Sequence, residues 1–218
     1  LDSGLDELIL AVDGASKESY EEYRINGDFK ELIQGMKSLT AAKKAQGRYF
    51  PYLSMQFIIM KSNEHEVEEI QKLAKEVGVD ELILKTVYLW NDSAMAEKYL
   101  PKNKKYSRYL TNEGVACKTS IRPGCDGLWL GVNINHDGIV VPCCFDTHEK
   151  FIFGNALTVK NFDKEIWNSK KFQAFRKNVW EDKGSVEMCK NCPTNTESQD
   201  YARIQLSNVS VELVEVVA

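Results

Sequence analysis

The chain has 218 residues and a mass of 24.8 kDa, which fits one domain, or a medium domain with a small appendage, and permits a sizeable core. With 43% apolar and 28% charged residues it is neither a disordered tail nor a fibrous repeat. The net charge of −4, with no basic run beyond the Lys102, Lys104, Lys105 cluster, excludes a dedicated nucleic-acid binder, and the apolar stretches at residues 8–12 and 57–60 fall far short of the roughly 18 residues that a membrane span needs.

Residues 1–90 read as alternating strands and helices. Residues 7–12 form a short apolar run with the turn signal Asp13-Gly14 behind it, which suits a buried parallel strand, and Ser16 can cap the helix that follows. From Asp28, the residues Phe29, Leu32, Ile33, Met36 and Leu39 recur at helical spacing, with Gly47 at the C-terminal end. Residues 52–60 are the next strand. A helix from about Glu64 carries Val67, Ile70, Ala74 and Val77 on one face and stops at Gly78, and residues 81–85 return as a third strand. Short connections between these elements imply right-handed crossovers and a parallel sheet, open or part of a barrel.

After Trp90 the texture changes. Residues 91–124 are polar and contain Pro101 and the lysine cluster, so they read as a linker or a loosely structured crossing. Residues 128–134 and 139–141 flank His136-Asp137-Gly138, the signature of a β-hairpin. Residues 162–167 and 170–179 read as two short helices, the second opened by Ser169. Residues 193–208 are expected to be irregular, and residues 209–217 alternate like a last strand. No internal repeat is evident.

All six cysteines, Cys117, Cys125, Cys143, Cys144, Cys189 and Cys192, lie in this second part. In Cys189-Lys-Asn-Cys192, two thiolates three positions apart can grip one metal centre within a single turn. Cys143 and Cys144 follow the second hairpin strand, where adjacent side chains face opposite ways, so at most one of them serves that centre. A four-thiolate site recruits Cys125, giving Cys125, Cys143, Cys189 and Cys192, and leaves Cys117 and Cys144 as spare, small buried groups. Three disulfides are the competing use of six cysteines, disfavoured in a chain with no visible secretory signal and a large apolar α/β portion. On spacing alone, a structural zinc and an iron–sulfur cluster stand level.

Together, Cys125, Trp129, Asp137-Gly138, Pro142-Cys143-Cys144, Gly154-Asn155, Glu165-Ile166-Trp167-Asn168-Ser169, Phe172, Arg176 and Cys189-x-x-Cys192 resemble the C-terminal auxiliary-cluster region of radical S-adenosylmethionine (SAM) enzymes. That region is the SPASM domain, called twitch in its one-cluster form. The order C-x12-G-x4-C, a gap, then C-x2-C resembles the one-cluster version and implies one auxiliary [4Fe-4S] cluster; this frame also selects Cys143 over Cys144. The resemblance extends to the front, where residues 4–15, 56–66 and 82–85 look like the fourth, fifth and sixth strands of the family's partial (β/α)6 barrel. The implied architecture is a partial parallel (β/α) barrel fragment over residues 1–90, a linker over 91–116, and a small cysteine-rich α+β domain with a β-hairpin over 117–218.

The departures are equally specific. The family's C-x3-C-x2-C loop, which holds the SAM-cleaving cluster, is absent from the sequence, as is the Gly-Gly-Glu segment that grips the SAM amino group. Ala11 stands where many relatives carry a serine that can contact SAM. The chain, which begins at Leu1 without Met, is therefore expected to be a C-terminal fragment of a longer enzyme that does not cleave SAM by itself. In the full-length enzyme the resemblance implies SAM and a second [4Fe-4S] cluster, a peptide or small-alcohol substrate, a reductant such as flavodoxin or ferredoxin, and a cytoplasmic location.

Ligands of a parallel barrel collect at the C-terminal ends of its strands, where Asp13, Lys61, Asn63 and Lys85 stand as candidate contacts to SAM or substrate. The plainer readings are turn chemistry for an Asp before Gly and solvation for a strand-end lysine. His65, His136 and His148 are expected at the surface, and Trp129 and Trp167 as core anchors of the small domain. The rival functional class is a non-enzymatic binding module stabilised by zinc on the same four cysteines.

Overall fold

The computed structural model describes residues 1–89, 93–110, 123–190, 192 and 200–207. Cys117 and the strand expected over residues 209–217 lie outside them. The described residues fall into two compact units, one holding residues up to 110 together with 200–207, the other holding 123–190 and 192.

The first unit runs β1 (Glu7–Ala11), α1 (Lys17–Tyr23), α2 (Phe29–Ala45), β2 (Tyr52–Ile59), α3 (Val67–Val77), β3 (Glu81–Thr86) and α4 (Ser93–Tyr99), and is completed by a strand from far along the chain, β7 (Asp200–Gln205). The sheet order is β1-β2-β3-β7. β1 and β3 pair parallel to β2, with Glu7 opposite Tyr52 and Ser54 opposite Glu81. β2 is an inner strand, and Leu53, Met55, Phe57 and Ile59 on it are fully buried. The caps follow the residue chemistry. Ser16 accepts from the Ser19 amide at 3.3 Å, and Asp28 accepts from the Glu31 amide at 2.9 Å. The α3 face expected from periodicity, Val67, Ile70, Ala74 and Val77, is the buried one.

Gly78 ends α3 at φ +82°, the left-handed region. A side chain there has space, its nearest neighbour being Thr40 Cβ at 3.9 Å, so only the backbone resists substitution. Gly78→Ala is expected to cost about 1–2 kcal/mol, read as a lower denaturant midpoint with an unchanged slope.

Three expectations change in this unit. β1 is half-exposed rather than buried, with Ile9 55% accessible, and among the described residues it is an edge strand of the sheet. The segment read as a linker is partly built structure. α4 forms within it, Leu100, Tyr106 and Tyr109 are buried, and the Tyr109 hydroxyl accepts from the Leu89 amide at 2.8 Å. Residues 200–205, expected to be irregular and part of the small domain, pair antiparallel with β3, Leu82 opposite Ile204. The Leu206 and Ser207 amides both donate to the Asp80 carbonyl, at 2.9 and 3.1 Å, which fixes the end of β7.

The second unit contains α5 (Gly127–Leu130), β4 (Asn133–Ile134), β5 (Ile139–Val141), β6 (Gly154–Asn155), a single π-helical turn at Asp163–Trp167, α6 (Lys170–Asp182) and α7 (Glu187–Lys190). The expected hairpin is present. β4 and β5 pair antiparallel, and Gly138, at φ +85°, closes the turn by donating to the Asn135 carbonyl at 2.9 Å. Ser169 caps α6 as expected, accepting from the Phe172 amide at 3.2 Å. Residues 128–130, expected as strand, form α5 instead, and Trp129 is 54% accessible rather than a core anchor. The core of the unit is Val140, Phe153, Ile166, Phe172 and Val179, joined by Cys189.

Candidate metal centre

The second unit holds the four expected ligands on three separate elements, with Cys189 in its core and Cys125 packed against it. Cys125 precedes α5, and its carbonyl accepts from the Leu128 amide at 3.1 Å; Cys125 packs against the cluster that contains Cys189. Cys143 follows β5 and Pro142, and its carbonyl accepts from the Asp146 amide at 3.1 Å. Cys189 lies in α7, with Cys192 just beyond; the Cys192 amide donates to the Cys189 carbonyl at 3.2 Å, the tight turn that the C-x2-C spacing calls for. Cys189 and Cys192 are buried, Cys143 is half-buried and Cys144 is exposed.

The electrostatics tie these thiols together. Burial pushes the Cys143 thiol up to about 11, assisted by Cys144, Cys192 and Cys125 and opposed by the Phe145 amide. Burial likewise pushes Cys189 up to about 12, with Cys192, Cys143 and Cys125 adding to it and Lys183 opposing. Cys143 and Cys189 thus feel the other thiols as neighbours, and neither of these two ionises readily without a positive centre beside it. Among the described residues, no three His, Cys, Asp or Glu side chains stand close enough together to hold one metal ion.

Two cations in this unit were not marked as functional by the sequence. Lys183, in the short 3-10 turn Lys183–Ser185, is 5% accessible. Arg176 on α6 is 3% accessible. Its Nε donates to the Leu128 carbonyl at 2.9 Å and its Nη1 to the Trp167 carbonyl at 2.6 Å, while Nη2 is buried without a partner. The guanidinium lies 3.9 Å from the Phe172 ring centre, 4.0 Å from Trp167 and 5.0 Å from Trp129. Burial lowers its pKa. Neither cation is ion-paired to a described carboxylate. The three histidines are exposed, as expected.

Residues 125–193 match the family model of the SPASM domain, described as an iron–sulfur cluster-binding domain. Over these residues the chain is similar to a SPASM domain. Over 92% of this chain and 97% of the other, the protein is also similar to a crystal structure of selenomethionine BtrN in an open conformation, at 18% identity and a TM-score of 0.32, a likeness too loose to carry argument. No curated protein matches the chain. The SPASM match begins at Cys125 and spans the four expected ligands, Cys125, Cys143, Cys189 and Cys192, together with Arg176 and Lys183.

In the first unit, the candidate contacts separate into two kinds. Asp13 is fully buried; Oδ1 accepts from the Ile58 amide at 2.8 Å and Oδ2 from Arg24 Nε at 2.9 Å. Asn63 is also fully buried. Its Nδ2 donates to the carbonyls of Asp13 at 3.0 Å and Ile58 at 2.9 Å, and its Oδ1 accepts from the Met60 amide at 2.7 Å. This corrects the expectation of direct cofactor contact for Asp13 and Asn63, because their polar groups are engaged inside the protein, where they clasp the ends of β1 and β2. Glu66, which sequence reading passed over, extends the clasp by accepting from the Ala15 amide at 2.9 Å and the Ser19 hydroxyl at 2.5 Å. Lys61 is exposed and its Nζ donates to the Glu97 carbonyl at 2.9 Å, beside a cavity of about 420 Å³ that it lines with Ser93, Leu100 and Lys102. Lys85 is half-buried, its Nζ 3.8 Å from Asp200 Oδ1.

Proposed function

We propose that the chain is the C-terminal part of a radical SAM enzyme whose SPASM domain holds one auxiliary [4Fe-4S] cluster on Cys125, Cys143, Cys189 and Cys192. The observation that carries this is the match of residues 125–193, which span these four cysteines, to an iron–sulfur cluster-binding family. Cys143 acts on the buried Cys189, whereas Cys144 is exposed, which supports Cys143 as the ligand. The half-open edge of β1 supports further parallel strands in the whole enzyme, since parallel sheets are ordinarily covered and fully paired.

The match of residues 125–193 to an iron–sulfur cluster-binding family supports a cluster over zinc. A bound cluster supplies one-electron chemistry, to accept an electron from a substrate radical or pass one inward. The chain's own part is to hold the four thiolates, keep Cys189 and Cys192 away from water, and present strand-end groups of the first unit. Of those groups, Lys61 and Lys85 remain the candidates for contact with SAM or substrate. The substrate class proposed is a peptide or a small alcohol, the reductant a flavodoxin or ferredoxin, and the location cytoplasmic. Among the described residues no helix is long and apolar enough to cross a membrane.

The test is the iron, acid-labile sulfide and zinc content of the chain purified without oxygen. About four iron and four sulfide per chain are expected. About one zinc with no sulfide, even after anaerobic reconstitution, overturns this reading in favour of a binding module stabilised by zinc on four cysteines. The sequence contains no C-x3-C-x2-C loop, so the reduced, reconstituted chain is expected to release no 5′-deoxyadenosine from SAM.

A further inference from the structure

We infer that Arg176 is a positioning residue for the proposed ligand Cys125, which it holds in place by anchoring the short helix α5. The inference rests on the cluster reading above and deepens it. α5 has four residues, Gly127–Leu130, too few to keep a helical turn formed by its own hydrogen bonds. Its side chains add little, because Leu130 is 85% accessible, Trp129 is exposed, and Leu128 is the one buried residue of the helix. Among the described residues, the hydrogen bond that reaches this turn from outside comes from Arg176, whose Nε donates to the Leu128 carbonyl at 2.9 Å. The same residue, Leu128, is tied to the proposed ligand, since its amide donates to the Cys125 carbonyl at 3.1 Å. A Cβ built on Gly127 would stand 3.7 Å from the Cys125 sulfur, so the first residue of α5 lies against that side chain.

The anchor is itself held rigidly. From its place on α6, Arg176 also donates through Nη1 to the Trp167 carbonyl at 2.6 Å, so one planar group spans two separate stretches of chain. The rings of Phe172 and Trp167 pack against the guanidinium and restrict its rotation. Nη2 is buried with no acceptor, a cost that only the contacts of the remaining group offset, and two of these are the carbonyl bonds. A lysine ammonium, a point charge on a flexible stem, does not reproduce that fixed fork. Arg176 donates no hydrogen bond to the stretches that carry Cys143, Cys189 and Cys192. Its loss therefore releases one of the four proposed ligands selectively. A [4Fe-4S] cluster left with three thiolates has one iron without a protein ligand. On oxidation it gives up one electron to the oxidant and that iron to solution as a ferrous ion, and becomes a [3Fe-4S] cluster.

Two readouts test this. In the metal-free, reduced chain, the rates of alkylation of Cys125 and Cys189 by iodoacetamide are compared by mass spectrometry. Arg176→Met, which keeps the stem and removes the donors, is expected to raise the Cys125 rate about tenfold relative to Cys189, because α5 opens locally. Arg176→Lys is expected to show the same selective rise at smaller size, and Lys177→Met, at a side chain 73% accessible, none. In the anaerobically reconstituted chain, iron and sulfide are measured and ferricyanide is added before electron paramagnetic resonance. Arg176→Met is expected to give about a tenfold stronger three-iron signal per sulfide than wild type, with Cys125→Ala as the reference for loss of that ligand. Cys125 and Cys189 rates that rise together in both Arg176 variants mean general loosening of the unit and overturn the inference. So does a reduced cluster content with wild-type resistance to ferricyanide. If Arg176→Met takes up no cluster, Arg176→Lys carries the second readout, and a wild-type signal there overturns the inference as well. A wild-type chain that takes up no sulfide fails the cluster reading, whereas the alkylation rates need no cluster and still decide whether Arg176 holds Cys125.

Discussion

Cys189→Ala is expected to abolish iron and sulfide uptake and to unfold the second unit, while Cys144→Ala leaves both intact. Cys189 is 7% accessible and packs within the apolar cluster that holds Phe172, Val179 and Val186, so it is at once a proposed ligand and a piece of the core. The rest of the unit is thin. Its sheet is made of strands of two, three and two residues, and its one substantial helix, α6, has 13. Sheets this short are marginal alone, and small domains with limited cores commonly depend on a metal centre. Where a metal site forms only in the folded state, its binding free energy is folding free energy, about 10–16 kcal/mol for structural zinc in finger peptides. Losing one of four thiolates removes most of that contribution at once. Cys144 is exposed, and its replacement is expected to stay within about 0.5 kcal/mol of wild type. Trp129, Trp167 and Trp180 all lie in this unit and make their fluorescence a direct reading of its fold. A Cys189→Ala chain with four iron and native fluorescence refutes the ligand assignment; loss of iron in Cys144→Ala exchanges the two neighbours.

How much of this was legible beforehand depends on how far each signal reaches along the chain. α2 and α3 were readable because one apolar face repeats over several turns, and the cysteine frame because a metal centre dictates which positions carry sulfur. Leu128-Trp129-Leu130 was not, since three consecutive apolar residues fit a strand or a helix equally; the helix exposes Trp129 and lets Leu128 enter the core. β7 did carry a faint signal, the alternation of half-buried Ala202 and Ile204 with exposed Tyr201 and Arg203. Its pairing partner lies more than a hundred residues earlier, so no local pattern announced it. Lys183 was invisible for a different reason: a lysine beside Gly184 and Ser185 reads as solvated loop, and only the packing of the turn reveals its burial. The same limit applied to Asn63, whose strand-end position suggested a ligand contact before its three backbone partners were known.

That clasp makes the second large effect. Asn63→Ala is expected to destabilise the first unit by about 3–5 kcal/mol without altering iron content. The substitution leaves the Met60 amide and the carbonyls of Asp13 and Ile58 without their amide partner in a place from which water is excluded. An unsatisfied buried polar group costs about 1–3 kcal/mol, and three share one side chain here, so the cost is set by how far the strand ends can relax. Asp13 cannot move alone to compensate, because its carboxylate holds both the Ile58 amide and Arg24. The measurement is hydrogen exchange at β2 amides, where a loss of 3 kcal/mol or more appears as at least a hundredfold fall in protection at about 1.36 kcal/mol per decade. Asn63→Asp is the informative companion: it keeps an acceptor for the Met60 amide but places a carboxylate against two carbonyl oxygens, and is expected to be at least as damaging as alanine. Near-native protection in both variants means that the strand ends are held by the sheet alone, which removes the clasp and reopens Asn63 as a group available to a ligand.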